Sequence, residues 1–562
     1  MLVSEYIVSF FAKQGIDHVF GYPGGMVTYL MDALDKNPAV QAHLCYHEQG
    51  AALAACGYGL TKGLPGVAYA TSGPGATNLL TGIANAYFDS TPAFFLTGQV
   101  NTYDKKKGKE RQRGFQETDI VSMAKPVTKA AVQVTRAEEV PAVLAEFYKL
   151  AMTGRKGPVL LDIPMEVQRS EILAEPEKIK VDYAQEAAAV VTEITAALSQ
   201  AECPLIIAGA GIRQAGAVED FRQFVEKAQI PVVTSMVAID LLPRDHELNL
   251  GFIGAYGHRW ANFATEKADL LLVLGSRMDG RQTGSNREWF AANAKIIRID
   301  VDEDELAVQI KENEVSFKAD VREVLKELLE NGSLTTSRAE WRETCGILRS
   351  KLKDLDNVPE NKWVEAISRL LPEKALVTTD VGQNQVWVAQ AFKVRHQQIL
   401  FSGGHGTMGF SLPAAIGASM ASDRSIVYAF TGDGGLQMNI QELQTIVREK
   451  LPIKIMLLNN ESLGMIRHFQ EMYFAGSFVQ TKPDRGYTIP DFVRVAEAYG
   501  IKSRRIEKIE DFGDTLTSQE PMLYDIQCGK DTYIFPKLAI KKPIYDQEPL
   551  MDRNLLTELK RL

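Results

Sequence analysis

Ile426-Val427-Tyr428-Ala429-Phe430-Thr431-Gly432-Asp433-Gly434, followed by Leu457-Leu458-Asn459-Asn460, decides how this chain is read. The first stretch is an apolar strand ending in a carboxylate between two glycines. A helical pattern over Gln441–Arg448 and a second apolar strand, Ile453–Leu458, lead to the side-chain amide of Asn460. Strand, helix and strand in this order predict a parallel sheet, and such sheets bind ligands beyond the carboxyl ends of their strands. An acid and an amide meeting there suit a hard cation such as Mg²⁺, which takes oxygen ligands and shares them with a phosphate. Gly432 and Gly434 allow a diphosphate to approach the backbone. Either half alone reads as an ordinary turn. Joined by the intervening pattern, they predict a metal–diphosphate site.

The rest of the chain limits what surrounds this site. Its 562 residues are too many for one core and predict several domains. Apolar residues make up 45% and charged residues 24%, as in ordinary globular proteins. A net charge of −9 argues against generic nucleic-acid binding. Cys45, Cys56, Cys203, Cys345 and Cys528 are scattered without metal-ligand spacing, which predicts reduced thiols and a cytoplasmic protein. The first residues lack a basic signal-peptide region, and no apolar run is long enough for a membrane helix.

Strands alternating with helical stretches mark three α/β blocks at 1–170, 186–335 and 361–540, each predicting a parallel sheet. Glu171–Lys180 reads as a charged linker. A polar, helix-forming connection leads into the third block, and 541–562 is a charged tail. The first and third blocks are alike in size and style, as two halves of one site would be.

Glu48 alone reads as a helix-start carboxylate favoured by the helix dipole. Its surroundings change that reading. Gly21-Tyr22-Pro23-Gly24-Gly25 precedes His47-Glu48-Gln49-Gly50-Ala51, and Thr71-Ser72-Gly73-Pro74-Gly75-Ala76-Thr77-Asn78 and Thr97-Gly98-Gln99 follow. Asp380-Val381-Gly382-Gln383-Asn384 and Gly403-Gly404-His405-Gly406-Thr407-Met408-Gly409 precede the opening motif. In this order the chain resembles the thiamine diphosphate (ThDP)-dependent enzymes of the acetohydroxyacid (acetolactate) synthase and pyruvate oxidase group. The resemblance extends to about residue 540.

It implies a pyrimidine-binding, a Rossmann-like middle and a diphosphate-binding domain. Glu48 would share a proton with the cofactor's pyrimidine ring, a general acid/base role. Met408 would support the bent cofactor, with the Gly406 carbonyl facing its amine. Gly382, Gln383, Asn384, Gly432, Gly434 and Met465 would contact the cofactor. Asp433, Asn460 and the Ser462 carbonyl would hold Mg²⁺. Gly25, Phe115 and Gln116 would border the reacting substrate. In this group Glu48 and Asp433 face each other across a subunit interface, so the resemblance implies a homodimer or homotetramer.

The middle block carries Gly209-Ala210-Gly211, which does not complete a dinucleotide fingerprint. It also has Gly275-Ser276-Arg277-Met278-Asp279-Gly280-Arg281, Asp300 after a strand, and Arg155 upstream. These resemble the flavin-contacting segments of acetohydroxyacid synthases and imply FAD, with Arg277 and Arg281 near its diphosphate and Asp300 near its adenosine. Relatives that keep such loops without a flavin give the alternative.

The resemblance implies a carboligase that decarboxylates pyruvate, a small 2-keto acid, and transfers the two-carbon acyl unit to a second pyruvate, giving 2-acetolactate. Three departures bear on the acceptor. Met165 stands where a lysine is common, and Phe469 where biosynthetic members carry tryptophan. An extension between Gln99 and Phe115 contains Lys105, Lys106, Lys107, Lys109, Arg111 and Arg113. That extension is a solvated loop or a cationic rim suited to a phosphorylated acceptor. The alternatives are acetyl transfer to a nucleotide-linked keto sugar, a pyruvate oxidase, and a non-catalytic cofactor-binding scaffold. Glu48, Gln116, Asp433 and Asn460 occurring together argue against the last.

Overall fold

Runs of β-branched and aromatic residues become short buried strands that no single helix layer could cover. In Leu270–Leu274 every residue is buried, because helices cover both faces of the sheet. The computed structural model describes residues 1–181, 187–332, 334 and 338–562. The expected block edges at 186 and 335 lie outside the described residues.

Three six-stranded parallel sheets form among the described residues. The first contains β1 (His18–Gly21), β2 (Gln41–Leu44), β3 (Gly66–Ala70), β4 (Ala93–Gln99), β5 (Ala130–Gln133) and β6 (Pro158–Pro164). The second contains β7 (Pro204–Ala208), β8 (Val232–Thr234), β9 (Asn249–Phe252), β10 (Leu270–Leu274), β11 (Lys295–Asp300) and β12 (Glu314–Lys318). The third contains β13 (Leu376–Thr379), β14 (Gln398–Leu400), β15 (Val427–Gly432), β16 (Ile453–Asn459), β17 (Lys502–Ile506) and β18 (Met522–Gln527).

The first sheet runs β2-β1-β3-β4-β6-β5 and the third β14-β13-β15-β16-β18-β17. These are the same order, so the similarity of the outer blocks is one of topology. The middle sheet runs β12-β11-β10-β7-β8-β9, with its switch point between β7 and β10.

The outer domains share one core. Helix Glu48–Lys62 lies against helix Ser411–Ala421 with backbones in contact. A Cβ at Gly57 would overlap the Ala414 carbonyl, and one at Gly417 the Ala54 carbonyl. Only hydrogen fits at these two crossings. The resulting apolar cluster joins Val3 and Phe94 of one domain to Ile416 and Leu523 of the other.

Two peripheral segments differ from the sequence reading. Glu171–Lys180 packs along the first helix: Val3 N donates to Ser170 O, Ile172 N to Met1 O, and Gln14 bonds Glu177 O and Ile179 N. Its charges face water while its backbone is used. The tail lies on the middle domain through buried Ile544, Met551 and Leu559. Arg259 donates to the carbonyls of Gln547 and Pro549 and pairs with Asp356 at 2.7 Å.

Candidate active site

Strand ends of the third sheet bring the acid and the amide together. Asp433 follows β15 and Asn460 follows the neighbouring β16, and both are buried. Ser462 N donates to Asp433 Oδ2 at 3.2 Å and to Asn460 Oδ1 at 3.3 Å. Asp433 Oδ1 also accepts from Gly434 N at 2.7 Å and Tyr487 Oη at 3.0 Å. Burial still dominates these bonds and pushes Asp433 up to about 6. Ser462 therefore offers its N–H to the pair, and its hydroxyl bonds Thr481 O.

Gln383 and Asn384 begin a helix at the end of β13, beside the same edge. Asn460 Nδ2 donates to Gln383 Oε1 at 3.1 Å and to Thr532 Oγ1 at 2.8 Å. Asn384 Nδ2 holds Asp380 O, and its Oδ1 lies beside Gly382 and Gly432. A Cβ at Gly464 would displace the Gln383 and Asn460 amides, so glycine where the helix Gly464–Tyr473 starts lets both side chains keep these positions.

The loop 403–409 reaches this edge through Asp380. That carboxylate accepts from Gly409 N at 2.9 Å and Ser411 N at 3.0 Å, and burial raises it to about 7. Met408 Cε lies 3.3 Å from where a Gly434 side chain would stand, closer than ordinary van der Waals contact. Gly406 has φ +73° and open space around it. Met465, one residue into its helix, meets the Tyr256 hydroxyl at 3.9 Å.

Glu48 opens its helix and is 8% exposed. Its Oε2 accepts from Asn78 Nδ2 at 2.9 Å, and its Oε1 faces Gly75. Gln116, at φ +63°, packs against Gly73, two residues before Gly75. Phe115 is 79% exposed, and Gly25 has open space around its Cα. Buried Glu442 of the third domain accepts from Tyr46 N and His47 N. Gln49 reaches Asn439, which holds Gly409 O. The start of the Glu48 helix and the loop carrying Met408 are thus tied together within one chain.

A cleft of about 1420 Å³ of atom-free space, partly open to solvent, lies over the switch point of the middle sheet. Arg155, Gly211, Gly275, Arg277, Asp279, Arg281 and Asp300 all border it. Gly209 packs behind the wall, where a Cβ would overlap the Gly275 carbonyl. Asp279 pairs with Arg277 at 2.6 Å and caps the turn at Arg281 and Gln282. Arg281 lies over the Tyr256 ring at 5.8 Å. Ser90, the Tyr87 carbonyl and Asp302 hold Arg155. Burial raises Asp300 above the usual carboxylate range.

The basic extension is fastened by Glu117, which accepts from the backbone N–H of Lys106, Arg113 and Gly114. Its cationic side chains from Lys106 to Arg113 are exposed. Phe469 is 47% exposed and stacks edge-on with Tyr473 at 4.6 Å.

Sequence reading missed Tyr487, Thr532, Asn78 and Asp380, which bond the predicted residues directly. Asp380 and Asn78 lay inside quoted motifs and could have been found there. Tyr487 and Thr532 carry no local signal.

Among the described residues no group of three or more His, Cys, Asp or Glu side chains could hold a metal, and no helix is long and apolar enough to cross a membrane. Family models match three segments. They are described as thiamine pyrophosphate enzyme, N-terminal TPP binding domain (residues 1–123), central domain (191–328) and C-terminal TPP binding domain (380–522). The chain is 38% identical to the acetolactate synthase large subunit of Lactococcus lactis subsp. lactis (strain IL1403), covering 95% of this chain and 94% of that protein. It is 37% identical to acetolactate synthase isozyme 1 large subunit of Escherichia coli (strain K12), covering 95% of each. It is 38% identical to the probable acetolactate synthase large subunit of Methanocaldococcus jannaschii, covering 93% of this chain and 91% of that protein.

Proposed function

This chain belongs to the thiamine pyrophosphate enzyme family, and on that premise we propose that it is an acetolactate synthase-like carboligase acting on pyruvate. The observation that carries the reading is the meeting of Asp433 and Asn460 at one amide hydrogen, on a sheet edge lined by glycines.

The donor set fits Mg²⁺. Asp433 supplies one carboxylate and Asn460 one amide oxygen, and a cation with so few protein ligands completes its shell from phosphate and water. The glycines at 382, 432 and 434 leave the backbone open to a diphosphate. ThDP, when bound, supplies the carbon that takes up the pyruvate carbonyl so that CO₂ can leave. Gln383, Asn384, Gly406, Met408 and Met465 would orient it. Glu48 would hold and return a proton at a ring nitrogen, and Asn78 fixes the carboxylate for that task. Gly25, Phe115 and Gln116 would border the reacting carbonyl and help to exclude water, which separates ligation from simple decarboxylation.

FAD is supported by the position of the middle cleft at a sheet switch point, where dinucleotides bind, and by Arg155, Arg277 and Arg281 standing beside glycine backbone on its wall. Arg277 and Arg281 would face the diphosphate and Asp300 the adenosine side. A flavin there does no net redox in acetolactate formation. The enzyme would work as at least a homodimer, with Glu48 of one subunit facing Asp433 of another.

The test is incubation of purified protein with ThDP, Mg²⁺ and ¹³C-labelled pyruvate, followed by mass spectrometry and oxygen measurement. Labelled acetolactate is expected. Oxygen consumption in step with CO₂ release would make it an oxidase, and absence of CO₂ release would reduce it to a scaffold.

A further inference from the structure

The segment from Thr532 to Leu538 joins two parts of the site. At one end Thr532 bonds Gln383 and Asn460. At the other, Leu538 N donates to Ala255 O on the wall of the middle cleft. Between them the chain runs along the helix Gly464–Tyr473: Arg467 donates to Thr532 O, and His468 lies edge-on to Tyr533 and Phe535.

Lys537 lies on this path and is 8% exposed. Its Nζ is 5.6 Å from the ring centroids of both Phe469 and Tyr473, and 3.2 Å from Met472 Sδ. No carboxylate lies within ion-pairing distance of it among the described residues. Lys537–Leu538 pairs antiparallel with Gln547–Glu548, and Glu548 stands opposite Lys537 there but forms no ion pair with it. Buried Lys454 shows the usual solution, donating to Ser518 Oγ at 2.8 Å and Glu520 O at 2.6 Å. Lys537 has a thioether and two ring faces instead.

A desolvated ammonium is costly unless an anion or several oxygens surround it. Ring faces compensate only partly. Burial alone shifts Lys537 downward, with no opposing charge to raise it. A buried cation whose counter-charge is missing, on a segment that links Asn460 to the wall of the middle cleft, marks a place where a ligand supplies that charge.

We propose that Lys537 anchors the anionic group of the acyl acceptor, a carboxylate or a phosphate, within the aromatic wall formed by Phe469 and Tyr473. The proposal rests on the carboligase reading and adds a specificity-determining residue to it. Phe469 and Tyr473 shape the space, and Lys537 selects acceptors that bring a negative charge. A neutral acceptor would leave the ammonium uncompensated.

The experiment uses the holoenzyme with pyruvate as donor and three acceptors: 2-ketobutyrate, glyceraldehyde 3-phosphate and acetaldehyde. The wild type should favour an anionic acceptor over acetaldehyde in kcat/KM. That ratio should fall at least tenfold in Lys537→Met and be largely retained in Lys537→Arg. Preference for 2-ketobutyrate identifies a carboxylate, and preference for glyceraldehyde 3-phosphate a phosphate. A ratio equal in wild type and Lys537→Met overturns the proposal, as does an equal loss in Met and Arg variants.

Thermal protection of the holoenzyme by the same three compounds gives a readout independent of turnover. Protection by an anionic acceptor that is lost in Lys537→Met, or in Lys537→Gln if the first variant does not fold, supports the anchor. Protection unchanged in the variant refutes it. If the wild type releases no CO₂ from pyruvate, the carboligase reading fails separately and protection alone decides the anchor.

Discussion

Asp433 Oδ2 and Asn460 Oδ1 accept the same hydrogen, that of Ser462 N, at 3.2 and 3.3 Å. Two oxygens held this close to one donor are near enough to share a cation through their remaining lone pairs. Cation binding requires ionised Asp433, which burial has raised to about 6. Below that pH, Mg²⁺ affinity should fall about tenfold per unit. The sign for apo-protein stability is opposite to that of a salt-bridged acid. The neutral form is favoured by folding, so this group's contribution is present below about pH 4 and lost as pH rises to about 6. Calorimetric Mg²⁺ titration with ThDP between pH 5 and 8 checks this, and Asp433→Asn should abolish the slope along with most of the binding.

Glu48→Gln should lower ThDP-dependent CO₂ release from pyruvate by about 10²–10⁴-fold while ThDP still binds. Asn78→Ala, which removes the 2.9 Å bond to Glu48, should give a smaller loss in the same assay. Unchanged CO₂ release in Glu48→Gln would remove the acid/base role.

Gly417→Val places a side chain against the Ala54 carbonyl at the crossing that joins the outer domains. Overpacking of this kind costs about 1–3 kcal/mol or more. Thermal unfolding should show a clear fall in midpoint. Gly346→Ala, on the exposed face of helix Ala339–Leu352 with free space around it, should stabilise by about 0.5–1 kcal/mol.

Glu442→Ala strips the acceptor from Tyr46 N and His47 N, leaving two part-buried donors unpaired at a cost of about 1 kcal/mol or more. Glu442→Gln keeps an oxygen there and should cost less. Comparing the melting midpoints of the two variants separates loss of the bond from loss of charge. Burial holds Glu442 at about 7, so near neutral pH the amide mimics a form the native side chain already populates.

Much of the site was legible because its parts end consecutive strands. Asp433 and Asn460 are separated by two short helices and one strand, and a parallel sheet brings such strand ends together. Glu48 was legible only through the motifs around it, because a helix-start carboxylate is common. Tyr487 and Thr532 carry no pattern, and they reach Asp433 and Asn460 by packing of distant loops. Lys537 reads as an ordinary surface lysine until Phe469, Met472 and Tyr473 close around it.

The chain's order of apolar runs and glycine turns determined three parallel-sheet domains and the strand ends that carry the acid and amide, because these depend on local periodicity. Tertiary packing decided which groups lost their water. The common order of the outer sheets, the glycine crossing of their helices and the uncompensated charge at Lys537 arise between segments that are not neighbours in the chain. Burial and partner geometry there are properties of the assembled core, and no local stretch encodes them alone.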